Sequence, residues 1–260
     1  MSADVFRIGL IGAGRMGRTH LRALAGSRAV TVAAIVDPVE QARVASSRPP
    51  TRGYQRVDQL LDAGGIDGVL IAAPSDRHAE LVEAVAAAGI PILCEKPCGV
   101  SDDEIRRAAA AATRHGVPLQ VAYWRRYVPS LMALRERIRQ GEFGDLHLIA
   151  CFQWDVAPPA PGFRAHSGGI FIDMGVHEFD QIRWLSGQEI ESLTAVVSPL
   201  VGDPEVTADV DSGQALVSMS GGTTGLVSLG RYFPLGDMAR VEVFGTRNAV
   251  RIDFMDPADG

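Results

Sequence analysis

Residues 5–17 read VFRIGLIGAGRMG, and this stretch decides the fold of the first half of the chain. Val5 to Ile11 is an apolar run of strand length, and Gly12, Ala13, Gly14, Arg15, Met16 and Gly17 follow it at the opening of a helix. Three glycines at this spacing permit a tight turn, close approach of a pyrophosphate to the backbone, and close packing of the helix on the strand. Asp37 stands twenty residues after Gly17, at the end of the next apolar run, Ala29 to Val36. A carboxylate there accepts hydrogen bonds from adenosine ribose hydroxyls and repels a 2′-phosphate. The stretch therefore predicts a dinucleotide site with NAD preferred. NADP stays open, because Arg43 or Arg48 in the following segment is placed to reach a phosphate.

Working outward, further apolar runs rich in Val, Ile and Leu span Gly68 to Ala73, Ile90 to Cys94 and Pro118 to Ala122. Ala-rich helical stretches, Ala79 to Ala88 and Glu104 to Arg114, alternate with them, and small side chains let a helix lie close on a sheet. That rhythm predicts an α/β domain over residues 1–122, a doubly wound parallel sheet with crossover helices. After Ala122 the texture changes. An amphipathic helix near Pro129 to Gln140 and a helix around Asp173 precede runs of β character at Ile190 to Ser198, Gln214 to Met219, Gly225 to Arg231 and Arg240 to Phe244. Strands in succession, joined by Gly and Asp turns, predict an α+β domain over 123–260 with an antiparallel or mixed sheet.

The 260 residues are 47% hydrophobic and 22% charged, the composition of a globular chain rather than a disordered one. A net charge of -6 gives no general attraction to nucleic acid or to anionic membrane surfaces, so a small-molecule partner is expected. The first residues lack a basic start followed by a signal-type apolar stretch, and no apolar run reaches spanning length; the cytoplasm is the expected address. Cys94, Cys98 and Cys151 form neither a disulfide set nor a metal-ligand spacing and read as buried, reduced residues.

Three further motifs carry chemistry. Ala72, Ala73, Pro74 and Ser75, with His78, end one strand on the carboxyl edge of the sheet, where ligands of such folds bind. Either this turn runs along the cofactor, or Ser75 caps the next helix and His78 sits in its first turn for structural reasons. Cys94, Glu95, Lys96 and Pro97 end the next strand on the same edge, where a lysine can donate to a substrate oxygen. Residues 167–180 read SGGIFIDMGVHEFD, and a helix there raises Asp173 and His177 from one face, a carboxylate and an imidazole able to hold a hydroxyl and take its proton.

In order and spacing, the glycine turn, the Ala-Pro-Ser turn with its histidine, Glu95-Lys96-Pro97 and GGIFIDMGVHEFD resemble the glucose-fructose oxidoreductase, inositol dehydrogenase and MocA family of NAD(P)-dependent oxidoreductases. The resemblance covers nearly the whole chain and implies a Rossmann domain followed by an α+β domain with a mostly antiparallel open sheet. It implies a catalytic group of Lys96, Asp173 and His177, with His177 as proton acceptor and Lys96 and Asp173 holding and polarising the hydroxyl, and it calls for no metal. Cofactor contacts are expected at Gly12, Gly14, Arg15, Met16, Gly17, Asp37, Ala73, Pro74, Ser75, His78, Glu95 and Lys96. Tyr123-Trp124-Arg125-Arg126-Tyr127 and Pro129 resemble the inositol dehydrogenase branch, which acts on cyclic polyols. Arg126 and Asp155 join the substrate residues on that basis, while Arg125 and Arg126 also read as surface charges flanking a loop. His166, just before the glycine pair, reads either as a substrate contact or as a surface loop histidine.

Some positions depart from the inositol pattern, Phe152-Gln153-Trp154-Asp155 and Gly236 to Arg240 among them, so another sugar, a sugar acid or a dihydrodiol stays open as substrate. A cofactor-binding sensor without turnover is the alternative of a different class. Family members usually continue several dozen residues past Gly260, so the chain reads as short at its C-terminus. Association into a dimer or tetramer through the second domain's sheet is expected.

Overall fold

The computed structural model describes residues 5–46, 51–198 and 209–255. Arg48 and the segment 256–260 lie outside them. The chain divides into two compact units, Met1–Ala122 and Tyr123–Gly260.

The first unit alternates strand and helix: β1 (Phe6–Ile11), α1 (Arg15–Leu24), β2 (Val30–Val36), α2 (Glu40–Ser46), β3 (Arg52–Tyr54), α3 (Val57–Ala63), β4 (Gly68–Ile71), α4 (His78–Ala87), β5 (Ile92–Cys94), α5 (Asp102–His115) and β6 (Leu119–Val121). All pairs are parallel, in the order β3-β2-β1-β4-β5-β6. The order reverses direction at β1 and β4, the switch point at which a doubly wound sheet opens a crevice at its carboxyl edge. Helices cover both faces, which is why Leu10, Ile11, Ile35, Val36, Leu70 and Ile71 are all buried and the strands read as unbroken apolar runs. Ala108 and Ala111 of α5 pack into the same core as Ala79, Val82, Val85 and Ala86 of α4. Ser101 caps α5 by accepting the Glu104 N–H at 3.3 Å, and Gly116, at φ 64°, ends it.

The second unit holds α6 (Pro129–Arg139), β7 (Leu146–Trp154), a short helix α7 (Pro161–Arg164), a single π turn at Phe171–Gly175 running into α8 (Val176–Ser186), then β8 (Ile190–Ser198), β9 (Ser212–Met219), β10 (Thr224–Gly230), β11 (Met238–Gly245) and β12 (Ala249–Asp253). Its sheet has the order β12-β11-β7-β10-β9-β8, with β7 and β10 parallel and every other pair antiparallel. One face alternates Ala215, Val217, Met219, Val227, Leu229, Val241 and Val243 inward, into one core with Leu131 and Leu134 of α6 and Ile182 and Leu185 of α8.

The fold class is the one expected from the sequence. Two short strands were not anticipated. The β3 segment Arg52-Gly53-Tyr54 is three residues with no apolar run, and β12 alternates Val250 and Ile252 with charge so briefly that only its pairing to β11 reveals it. Gly168 and Gly169, at φ 81° and 87°, lie in the left-handed region, so the glycine pair serves a turn before the π segment. Among the described residues no helix is long and apolar enough to cross a membrane.

Candidate active site

The glycine turn fits a dinucleotide in three separate ways. Gly12 has φ 96°, and a Cβ on it would fall on the carbonyl of Ala72. A Cβ on Gly17 would fall on the carbonyl of Gly12, so the helix could not approach the turn so closely with any other residue. Around Gly14 a Cβ would meet nothing within 4 Å, and that open space is where a phosphate can lie against the backbone. Arg15 opens α1, whose first turn carries no acidic side chain to compete for an anion, and Met16 packs against the core residues behind the turn.

Asp37 is 9% exposed and closes the end of β2 onto the turn: one carboxylate oxygen accepts the Ala13 N–H and the other the Val39 N–H, both at 2.8 Å. Each oxygen has a second lone pair for a ribose hydroxyl. Arg43 donates to the Asp37 carbonyl at 2.6 Å, which holds it beside this acid.

Pro74 precedes a single 3-10 turn, Ser75–Arg77, and Ser75 does not cap α4. His78 is 1% exposed, and its ring nitrogens stand 2.6 Å from the Pro97 carbonyl and 2.8 Å from that of Ala73. It is an internal strut tying the Ala73 turn to the segment that carries Lys96. Glu95 is also buried, at 9% exposed. One of its oxygens lies 2.6 Å from His20 Nε2 on α1, and the other accepts the Lys96 N–H at 3.2 Å. The Lys96–Pro97 peptide is cis. Cys94, Cys98 and Cys151 are free and buried. A hydrogen bond to Cys98, together with burial, pushes the Cys94 thiol up, and burial does the same to Cys151, so neither supplies a thiolate nucleophile at neutral pH.

In the second unit Asp173 lies in the π turn and His177 at the start of α8, one helical turn apart. The Asp173 N–H donates to the Gly169 carbonyl at 2.8 Å. His177 is 6% exposed and meets the rings of Tyr123 and Trp124 edge to face, each at a centroid separation of 6.4 Å. The aromatic segment before α6 thus orients the imidazole.

The two adjacent arginines divide sharply. Arg125, left open as a surface charge, is 3% exposed: it pairs with Glu178, donates to Gln181 at 3.0 Å and to Gln153, and stacks over Phe254. Arg126, expected at the substrate, engages Asp180 with both arms of its guanidinium, and this bond raises its pKa. Asp180 is buried while Arg126 is 42% exposed at its side chain, so the pair sets the arginine at the rim of α8. Asp155 follows the end of β7, with its N–H on the Gly230 carbonyl at 2.9 Å. Burial pushes its carboxyl up to about 6, nearby Asp237 adds to the shift, and Arg231 opposes it. His166 is exposed just past α7.

Sequence reasoning missed a buried ionic group beside Asp173. Arg164 donates to Asp209 at 2.9 Å and to Asp211 at 3.1 Å; Arg231, fully buried, lies 3.0 Å from Asp209 and 3.7 Å from Asp173. Charged residues in loops read as solvated, and only the tertiary pairing brings these together.

Comparison with known proteins places both units. The family model described as an oxidoreductase family with an NAD-binding Rossmann fold matches residues 6–123, and that of the GFO/IDH/MocA C-terminal domain matches 131–251. The rhizopine catabolism protein MocA of Rhizobium meliloti is 51% identical over 255 residues, 98% of this chain and 80% of that protein. A crystal structure of a putative myo-inositol dehydrogenase from Sinorhizobium meliloti 1021 superposes with a TM-score of 0.89 at 32% identity, over 95% of this chain and 75% of that one. That of scyllo-inositol dehydrogenase from Lactobacillus casei, with NAD(H) and scyllo-inositol bound, gives 0.86 at 27% identity over 96% and 76%. An NAD-binding glycine cradle and a second unit that matches from α6 to β12 have one common explanation: the chain belongs to the GFO/IDH/MocA oxidoreductase family.

Proposed function

We propose that this protein is an NAD-dependent dehydrogenase that oxidises a hydroxyl-bearing carbon of a cyclic polyol of the inositol type. The observation that carries the reading is the pairing of Asp173 with an enclosed, aromatic-braced His177 one turn later. NAD, when bound, accepts the hydride from the substrate carbon. Gly12, Gly14 and Gly17 admit its pyrophosphate and Asp37 takes the adenosine ribose, while the Ala73, Pro74 and Ser75 turn and Glu95 border the cofactor and His78 braces that border from within. His177 takes the hydroxyl proton, a role that an imidazole fills as a general base. Asp173 holds the same hydroxyl, Lys96 stabilises the oxygen as charge builds on it, and Asp155 accepts from a further substrate hydroxyl. Arg126, with its fork on Asp180, contributes to substrate through its exposed edge.

The assay is NADH absorbance with NAD and a panel of myo-inositol, scyllo-inositol, rhizopine, glucose and related sugars. Turnover with a cyclitol supports the reading, and silence across the panel alongside measurable NAD binding overturns it in favour of a sensor. Lys96→Ala and His177→Ala should each lower kcat by roughly a hundredfold or more with NAD affinity retained; an equal loss of NAD binding would contradict the assigned roles.

A second copy of the chain is the expected partner. Val196 and Leu216 lie on the sheet face away from α6 and α8, 62% and 56% exposed, with Phe244 also exposed there. Apolar residues at strand spacing on an open face favour self-association. Light scattering should give a dimer or tetramer; a monomer at micromolar concentration removes this partner.

A further inference from the structure

We propose that Arg231 is a positioning residue for substrate oxidation, one that orients the Asp173 carboxylate from within the second unit through a guanidinium anchored on Asp209. The proposal rests on the reading of Asp173 as the carboxylate that holds the reacting hydroxyl.

Asp209 is the fixed point. Its side chain is fully buried, one oxygen accepts the N–H groups of Ile170 at 2.8 Å and Val210 at 2.9 Å, and the other receives Arg164 Nε at 2.9 Å. Two amides and one arginine already satisfy this anion, so a second arginine is more than its neutralisation requires. Arg231 nonetheless lies 3.0 Å from the same oxygen through Nη2. Its backbone N–H, donating to the Asp211 carbonyl at 2.9 Å, sets where the side chain starts, immediately past the end of β10.

The other arm of the fork explains the excess. Nη1 stands 3.7 Å from Asp173 Oδ2. That separation is an ion pair but longer than a hydrogen bond, so Arg231 draws the carboxylate toward β10 while leaving it able to turn to a hydroxyl. The same cation opposes the upward shift of Asp155, so its field reaches a second carboxylate assigned to substrate. A planar guanidinium presents one end to each acid as a shared countercharge, which the single point charge of an ammonium matches less well.

The test is steady-state kinetics with NAD and myo-inositol on the wild type, R231Q, R231K, D173N and R231Q/D173N, with melting temperature and NAD affinity measured for each. R231Q should lower kcat by about tenfold or more with NAD affinity unchanged, R231K should recover part of the loss, and R231Q should add less than about twofold in the D173N background. A folded R231Q with kcat within about twofold of wild type, or a full multiplication of the two single losses, overturns the proposal. If R231Q does not fold, R231K decides: kcat lowered about threefold or more at unchanged melting temperature supports the proposal, and unchanged kcat overturns it. A crystal structure of R231K supplies a readout independent of turnover, with the Asp173 carboxylate expected to shift while α8 stays in place; an unmoved carboxylate counts against the proposal. Normal turnover by D173N would sink the reading of Asp173 itself, an outcome distinct from an inactive D173N beside a fully active R231Q.

Discussion

His20 and Glu95 meet at 2.6 Å, joining the helix that follows the glycine turn to the residue that holds the backbone of Lys96. Both side chains are largely enclosed, so the contact fixes the lysine's starting point. His20→Ala should lower kcat several-fold and stability by about 1 kcal/mol, with His20→Gln retaining more of both. Kinetics beside thermal melts check this, and an unaltered kcat in the Ala variant would detach His20 from the placement of Lys96.

Asp37 holds two backbone amides and is the proposed ribose acceptor, and one substitution removes both. Asp37→Ala removes the acceptors for the Ala13 and Val39 amides and the proposed ribose contact. Stability should fall by about 1–3 kcal/mol, NAD should weaken by about tenfold or more, and the gap to NADP should narrow as the repelling charge disappears while Arg43 stays nearby. Titration with both cofactors decides it; an unchanged preference places the ribose elsewhere.

Asp155 makes stability depend on pH. Its folded pKa, about 6, lies above the 3.8 of an ordinary aspartate, so its contribution is fully present below about pH 4 and is lost as pH rises through 6. Asp155→Asn does not titrate, so the variant should gain on wild type by about 2 kcal/mol between pH 4 and 7.5, a figure reduced for the solvent that still reaches the group. Paired melts across that range measure it, and parallel curves would mean the carboxyl ionises normally. The same group predicts a KM for the polyol that changes through pH 6 in wild type and not in the variant.

Arg125→Met strips Glu178 of its buried cation. Breaking such a pair from one side costs about 3–5 kcal/mol, a fall on the order of 10 °C in Tm. Glu178→Gln keeps the shape and should cost less. Equal melting temperatures for wild type and Arg125→Met would show that the pair contributes nothing.

The doubly wound unit was legible because helices cover both faces of its sheet, which forces strands such as Gly68–Ile71 to be apolar throughout. Residue type and spacing singled out Gly12, Asp37, Lys96, Asp173 and His177 as candidates for a different reason, since a left-handed turn, a carboxylate, an ammonium and an imidazole each have few substitutes. Arg125 was not legible. Its burial depends on Glu178, fifty-three residues away, and nothing local distinguishes it from Arg126, whose guanidinium stays at the rim. Arg231 escaped similarly, as a charge closing a strand whose partners Asp173 and Asp209 arrive from two other segments. His78 was visible as a residue and open as to role, because only the tertiary fold brings carbonyls to both of its nitrogens.

The place of β7 in the second sheet bears on how this chain is made. Ile149 is paired on one side with Gly225 and on the other with Val243, so both neighbours of β7 are translated long after it. At ribosomal rates, the wait is about 5 to 20 s. The first unit, whose strands pair across short crossovers, can close during that time. β7 meanwhile waits with two open edges, the condition in which a nascent strand is most exposed to pairing with the wrong chain.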